Sequence, residues 1–541
     1  MRRDLLRHLT ARLARWNGAP PDAKRRALLK GATLLAASAV LARPLGAQAP
    51  AQAWGPRFVD HPFKLGVASG YPHPGGVTLW TRLCAQPLLP NGGITEVMLP
   101  VRYEVASDDK FATVVKSGAI GAFDENAHAV RVDVNGLEPA RWYWYRFMVG
   151  NDVSEVGRTR TADVANADVS KLRFAIGSCQ HFEQGYFSAL RHLAGENLDL
   201  MLFLGDYIYE SSWGDVRVRK HTNDEAYTLA DYRMRYSQYR SDPDLQRLHA
   251  TAPWAFAWDD HEVDNDWAAG VSEHLDPQFL VRRAAAFQAY WEHMPLPRRM
   301  WPSASEMRIY ERLRFGRLAT FHMLDDRQYR SPHPCPDAFK GAGSRTLPEA
   351  DCPLVEDRSL TMLGDAQASW LDQGLATDAR WHLLGQQTLM APLWGELEGK
   401  RTVWTDGWDA YRASRSRILA AMAKHDDANH IVLGGDIHAT AIADVHRDVD
   451  DLKSPIVASE FCGTSISAQG WRVGEFDGRV KMNPHIHYGD DQRRGYLVFE
   501  ADAKRLRCEV RNVADVTKAD TGVETAASFV VEDGRPGPKR V

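Results

Sequence analysis

Three apolar runs in this 541-residue chain stop abruptly at side chains able to bind a cation. Leu172-Arg173-Phe174-Ala175-Ile176-Gly177 ends on Ser178-Cys179-Gln180. Leu200-Met201-Leu202-Phe203-Leu204-Gly205 ends on Asp206-Tyr207-Ile208-Tyr209-Glu210, and Ile431-Val432-Leu433-Gly434-Gly435 ends on Asp436-Ile437-His438. Runs this short and apolar fit strands covered on both faces, and in such sheets ligands gather beyond the carboxyl ends of the strands. The three endings therefore predict an α/β architecture in which they converge on one point.

The residue types at those endings suit metal binding. Asp206 and Tyr209 are three apart, so a local turn aims a carboxylate and a phenol at one cation. Asp436 and His438 are two apart, the strand repeat that points alternate side chains the same way. Carboxylate with imidazole suits first-row metals, while phenolate and thiolate are strong anionic donors for a highly charged ion such as ferric iron. A carboxylate such as Asp206 is also able to bridge two cations. Taken singly, an Asp after a strand is as well explained by a helix N-cap; three endings together argue against that. A fourth segment, Trp258-Asp259-Asp260-His261-Glu262-Val263-Asp264-Asn265-Asp266-Trp267, sets ionisable groups directly behind the apolar run Ala255-Phe256-Ala257. Such a loop is costly to bury unless cations compensate it, although acidic loops also bind calcium alone.

From about Phe63 to Thr161, short alternating strands such as Gly76 to Thr81, Val101 to Val105 and Trp142 to Phe147 predict an antiparallel sandwich of fibronectin type III kind. After Ala162, apolar strands alternate with amphipathic stretches at Tyr186 to Leu193, Leu280 to His293 and Ala410 to Lys424. An irregular insertion from Pro332 to Asp357 carries Cys335 and Cys352, which would staple the loop between them in an oxidising compartment. With Cys179 as a ligand, Cys84, Cys462 and Cys508 are an odd number, so at least one of those thiols is free or intermolecular. From about Glu532 the polar, Pro- and Gly-containing sequence predicts a frayed tail.

The formal charge is 66 minus 70, or −4, but the first 49 residues hold ten Lys/Arg and two Asp/Glu, leaving 56 minus 68, or −12, for the rest. So acidic a body disfavours nucleic-acid binding, which draws on Lys and Arg to neutralise phosphates. Lys24-Arg25-Arg26-Ala27-Leu28-Leu29-Lys30, an apolar stretch from Gly31 to Ala42, and Ala47-Gln48-Ala49 resemble a twin-arginine export signal with a small-x-small cleavage site. No other run approaches the roughly 18 to 20 apolar residues of a membrane span. The expectation is an exported protein, periplasmic or secreted, that uses the twin-arginine export machinery.

Cys179, Gly205-Asp206-Tyr207-Ile208-Tyr209, Trp258-Asp259-Asp260-His261-Glu262-Val263 and Gly435-Asp436-Ile437-His438 resemble the PhoD family of alkaline phosphatases and phosphodiesterases, within the metallophosphoesterase superfamily. Leu324-Asp325-Asp326-Arg327-Gln328-Tyr329-Arg330, Trp408-Asp409-Ala410-Tyr411 and Gly463-Thr464-Ser465-Ile466-Ser467 extend the likeness, and Val67-Ala68-Ser69-Gly70 with Leu79-Trp80-Thr81-Arg82 resembles the family's N-terminal domain. The resemblance implies an α/β, four-layer metallophosphoesterase sandwich of two sheets between helices, preceded by a small all-β fibronectin type III/Ig-like domain. The domain reading is a signal at 1–49, the sandwich at 55–165, the catalytic domain at 170–515 and an extension at 516–541.

The resemblance also implies Fe3+ held by Cys179, Asp206, Tyr209 and His438, and Ca2+ held by Asp206, Asp436 and Asn265, with Asp260 a further ligand. Asp406 and Asp409 would add further carboxylate ligands. His261 falls where relatives place a histidine facing phosphate, and Arg327 either faces phosphate or pairs with a buried carboxylate. Tyr71, Asp266 and Ala410 depart from the family pattern; Asp266 adds charge beside the proposed calcium site. The implied activity is hydrolysis of phosphate mono- or diesters by a cation-activated water, with Asp206 and His261 central. The alternatives are a phospholipase-like or nuclease-like diesterase at the same site, or an exported calcium-binding adhesion protein. Cys179 and Tyr209 speak against the last, since calcium takes hard oxygen ligands.

Overall fold

A computed structural model of the chain describes residues 58–303, 306–337 and 339–541. The export-signal expectation over 1–49 lies outside the described residues. The fold is mixed α/β, with a ten-stranded and a seven-stranded sheet at its centre.

In the ten-stranded sheet, Leu172–Gly177, Leu200–Leu204 and Trp254–Ala257 run parallel, with Met201 opposite both Ala175 and Trp254. In the seven-stranded sheet, Ala319–Met323, Trp381–Gly385, Asn429–Gly434 and Ile456–Cys462 form a parallel core. All the residues of these parallel strands are buried but for Arg173, Ile456 and Val457, as the near-continuous apolar runs require. Phe174 of the first sheet meets Phe321 of the second edge-on, ring centroids 5.0 Å apart, so the two share a core. Along Asn429–Gly434 the faces alternate: Ile431 and Leu433 join that shared core, while Val432 joins a second one with Leu371, Leu375, Leu419 and Met422 of the helices Gly364–Leu375 and Arg412–Lys424.

The expected N-terminal sandwich is divided between two sheets. Val114–Phe123, Met98–Ala106, Trp142–Val149 and their neighbours make a separate five-stranded sheet, but Val67–His73, Gly76–Arg82 and Ala129–Asn135 extend the ten-stranded sheet, Gly70 lying parallel beside Trp254. An open edge at Trp254–Ala257 is thereby paired. Val67, Leu79, Val101, Tyr145 and Phe147 fill the core between the two sheets.

The expected frayed tail is corrected. Val523–Glu532 and Arg535–Arg540 are the last two strands of the ten-stranded sheet at its opposite edge. Pro536 and Pro538 suit an edge strand, where one row of amides needs no partner. Cys335 and Cys352 are disulfide-bonded, whereas Cys84, Cys179, Cys462 and Cys508 are buried thiols. No helix among the described residues is long and apolar enough to cross a membrane.

Candidate metal centre

Cys179 follows Leu172–Gly177, Asp206 and Tyr209 follow Leu200–Leu204, and Asp436 and His438 follow Asn429–Gly434, so both sheets deliver side chains at the carboxyl ends of their parallel strands. Ligand atoms of Cys179, Asp206 and His438 lie within 4.8 Å of one another. The Tyr209 hydroxyl joins them, donating to Asp206 Oδ2 at 2.8 Å and lying 3.2 Å from His438 Nε2. Asp206, Asp260 and His261 form a second group of the same spacing, so Asp206 belongs to both. Asp436 joins neither trio but borders the same cavity as His438. Asn265 donates its backbone N–H to Glu210 Oε1 at 3.2 Å.

Backbone strain concentrates here. Cys179, Asp206, Asp436 and His438 have φ of 57°, 55°, 65° and 52°, in the left-handed region that costs a non-glycine residue about 1–2 kcal/mol. Four such residues among the seven proposed ligands mark a place where geometry was kept at the expense of stability. Gly205, at φ +107°, allows the close approach of two loops: a Cβ there would sit 2.4 Å from Asp259 Cβ.

The electrostatics fit a missing positive charge. Asp206 Oδ1 and Asp436 Oδ2 are buried without a hydrogen-bond partner. Burial pushes the Asp206 carboxyl well up, with Asp260, Glu262 and Asp436 adding to it and His261 opposing. Burial and the neighbouring Asp206 push up the Cys179 thiol and the Tyr209 phenol, and burial with Asp406 brings Asp436 to about 7. His438 is driven down to about 3 by burial and by Arg494, which leaves it a neutral donor. Thiol, phenol, carboxylates and neutral imidazole, crowded together and out of water, are a donor set that a multivalent cation would satisfy.

Several residues that orient this cluster escaped the sequence reading. His438 Nδ1 donates to the Gln469 carbonyl at 2.7 Å, leaving Nε2 turned to the cluster, and Trp213 stacks on the imidazole at 5.7 Å. His261 Nδ1 pairs with Glu210 Oε2 at 2.7 Å. Burial opposes charge on His261, but Glu210, Asp260 and Asp206 outweigh it and hold its pKa well above the usual histidine range. Glu262 accepts the backbone N–H groups of Asp206, Tyr207 and Asp259, tying two strand-end loops together. Glu210 and Glu262 stood inside the motifs quoted above; the signal was that a carboxylate in a buried loop must find donors.

Of the two readings of Arg327 the buried pair holds, and the expectations for Asp406 and Asp409 change. Arg327 does not face an open phosphate site: its Nε donates to Asp259, and its terminal nitrogens donate to both Asp406 oxygens at 2.8 Å. Asp406 Oδ1 also meets Arg330 at 2.8 Å and His333 at 2.6 Å, so the charge of this carboxylate is answered by the protein's own donors. Asp409 accepts from the Leu393 N–H at 3.0 Å and from Arg415 at 2.7 Å. Asp260 keeps its place beside Asp206 while accepting the N–H groups of His261 and Asp266.

A family model described as PhoD-like phosphatase matches residues 174–510, and one described as PhoD-like phosphatase, N-terminal domain, matches residues 47–163. Alkaline phosphatase D of Bacillus subtilis (strain 168) is 39% identical over 500 residues, which span 90% of this chain and 83% of that relative. A solved structure described as "Structure of PhoD" superposes with a TM-score of 0.85 at 38% identity, covering 90% of this chain and 93% of that one. With the strand-end cluster, this coverage places the chain in the PhoD-like phosphatase family, as a phosphoester hydrolase.

Proposed function

We propose that the chain is an exported, metal-dependent hydrolase of phosphate mono- or diesters in which Cys179, Asp206, Tyr209 and His438 hold Fe3+ and Asp206, Asp260, Asn265 and Asp436 hold Ca2+. The observation that carries this reading is the position of Asp206, shared by two trios of donors with one buried oxygen unpartnered. The thiol and phenol favour iron over an all-calcium site. When bound, the cations supply positive charge for the phosphate oxygens and acidify a water for in-line attack on phosphorus.

The protein's own residues do the rest. His261, its Nδ1 held by Glu210, keeps a proton on Nε2 for the departing alkoxide. Glu262 fixes the Asp206 loop against the Asp259 loop, so both donor trios keep their spacing. The four-layer arrangement and passage through the twin-arginine machinery to the periplasm or beyond belong to the same proposal.

The test is a panel of a phosphate monoester, a small diester and a phospholipid, assayed before and after chelation. Hydrolysis lost on chelation and restored by iron with calcium is expected. Full activity in thoroughly chelated protein would end the proposal.

A further inference from the structure

Beside Asp436 and His438 the protein opens a pocket of about 350 Å³. Trp404, Trp471, Leu389 and Leu393 give its lining an aromatic and apolar part. Both rings are fixed in place. The Trp471 indole N–H donates at 2.6 Å to the carbonyl of Ile437, the residue between the two proposed ligands. The Trp404 indole donates to Ser344 Oγ at 3.3 Å, and its ring lies so close over Gly407 that an added Cβ would come within 3.0 Å of it.

Glu475 also lines this pocket, and the charged groups Asp409 and Arg479 there are engaged. Asp409 is held by Arg415 and the Leu393 N–H, and the Arg479 guanidinium lies over Trp471, 5.0 Å from the ring centroid. Phosphate hydrolysis at the cluster has no use for two anchored indoles. Ligand pockets span ~300–1,000 Å³, so this one has room for a ring system and not for paired acyl chains. Flat indole faces also favour a flat partner, which loses little conformational freedom on binding.

Resting on the phosphoester reading of the neighbouring cluster, we infer that this pocket receives the organic substituent of the substrate and selects a planar aromatic or heteroaromatic group. The phosphorus end lies at His438 and Asp436, and the ring lies against the Trp404 and Trp471 lining.

Phosphonates test this directly, because their P–C bond is inert and their substituent is free to occupy the pocket. Inhibition of the metal-loaded enzyme is measured with methylphosphonate, octylphosphonate and naphthylmethylphosphonate, alongside tryptophan quenching by the naphthyl compound. Naphthylmethylphosphonate is expected to bind at least about tenfold more tightly than methylphosphonate, with octylphosphonate between them. Trp404→Ala and, separately, Leu393→Ser are expected to erase most of that preference while leaving methylphosphonate inhibition unchanged. Equal inhibition by all three, an undiminished naphthyl preference in both folded variants, or tightest binding of the octyl compound would each overturn the inference. Absence of any phosphoester hydrolysis by the wild type would instead defeat the underlying reading.

Discussion

Two acidic clusters lie buried side by side, and they solve the same electrostatic problem in opposite ways. Around Asp406, burial raises the carboxyl pKa, but Arg327, Arg330 and His333 overwhelm it and hold the group well below the usual carboxylate range. Around Asp206 and Asp436 burial is as deep but no arginine donates to either carboxyl: His261 opposes the shift at Asp206 and Arg327 that at Asp436, yet both shift upward, and each keeps an unpartnered oxygen. The difference lies in where the chain supplies its own cations. Where it supplies fewer of them, beside strained backbone and a thiol, the donor set is one that suits a metal.

The contrast is broken most severely at Asp206. Asp206→Asn removes the donor shared by both trios, and activity on any accepted phosphoester is expected to fall by at least about 10²–10³-fold, the size of loss seen when one charge-stabilising group is deleted from a water-excluded site. Its thermal stability without metal is expected to hold or rise, because a buried carboxyl with one unpartnered oxygen, crowded by other acids, is removed; a large destabilisation would contradict that. Arg327→Met attacks the other cluster and should do the reverse. Stripping the cation from Asp259 and Asp406 is expected to cost about 3–5 kcal/mol in denaturant unfolding, and an effect under 1 kcal/mol would show those carboxylates compensated by something else.

A smaller effect sharpens the picture at the seam between the clusters. Glu262→Gln leaves one acceptor oxygen for three backbone N–H groups, so a loss of about 1–3 kcal/mol is expected, together with weakened metal retention. Unchanged metal affinity would detach Glu262 from the site. The smallest effect belongs to a pair that water reaches. His487 Nε2 sits 2.8 Å from Asp444 Oδ2, and that hydrogen bond raises the histidine pKa. The pair's contribution is complete below the ordinary histidine pKa of about 6.5 and is lost as pH rises through the raised value. His487→Gln should therefore destabilise by about 0.2–1 kcal/mol at acid pH and by almost nothing at alkaline pH; a larger cost under alkaline conditions would reverse the assigned sign.

The ligand-bearing ends of the parallel strands were legible because an apolar run that stops on Cys179, Asp206 or Asp436 carries both its burial and its chemistry in a few adjacent letters. The fate of individual acids was not. Arg327 and Asp406 are 79 residues apart, and nothing local tells an acid that will meet an arginine from one that will not. Edge strands were similarly opaque: Arg535–Arg540 is short of apolar residues because its edge faces water, so its polar pattern reads as a tail until the neighbouring strand is known. The split of the N-terminal strands had the same cause, since Val67–His73 is fully compatible with a small sandwich and finds its second partner at Trp254, far along the chain.

Metal content measured by elemental analysis on protein purified without added metal, wild type beside Asp206→Asn, tests the shared-carboxylate site most directly. Stoichiometric iron together with calcium in the wild type, a visible charge-transfer band from phenolate or thiolate on iron, and loss of all three in the variant are expected. A colourless, metal-free wild type that hydrolyses phosphoesters at full rate would contradict it.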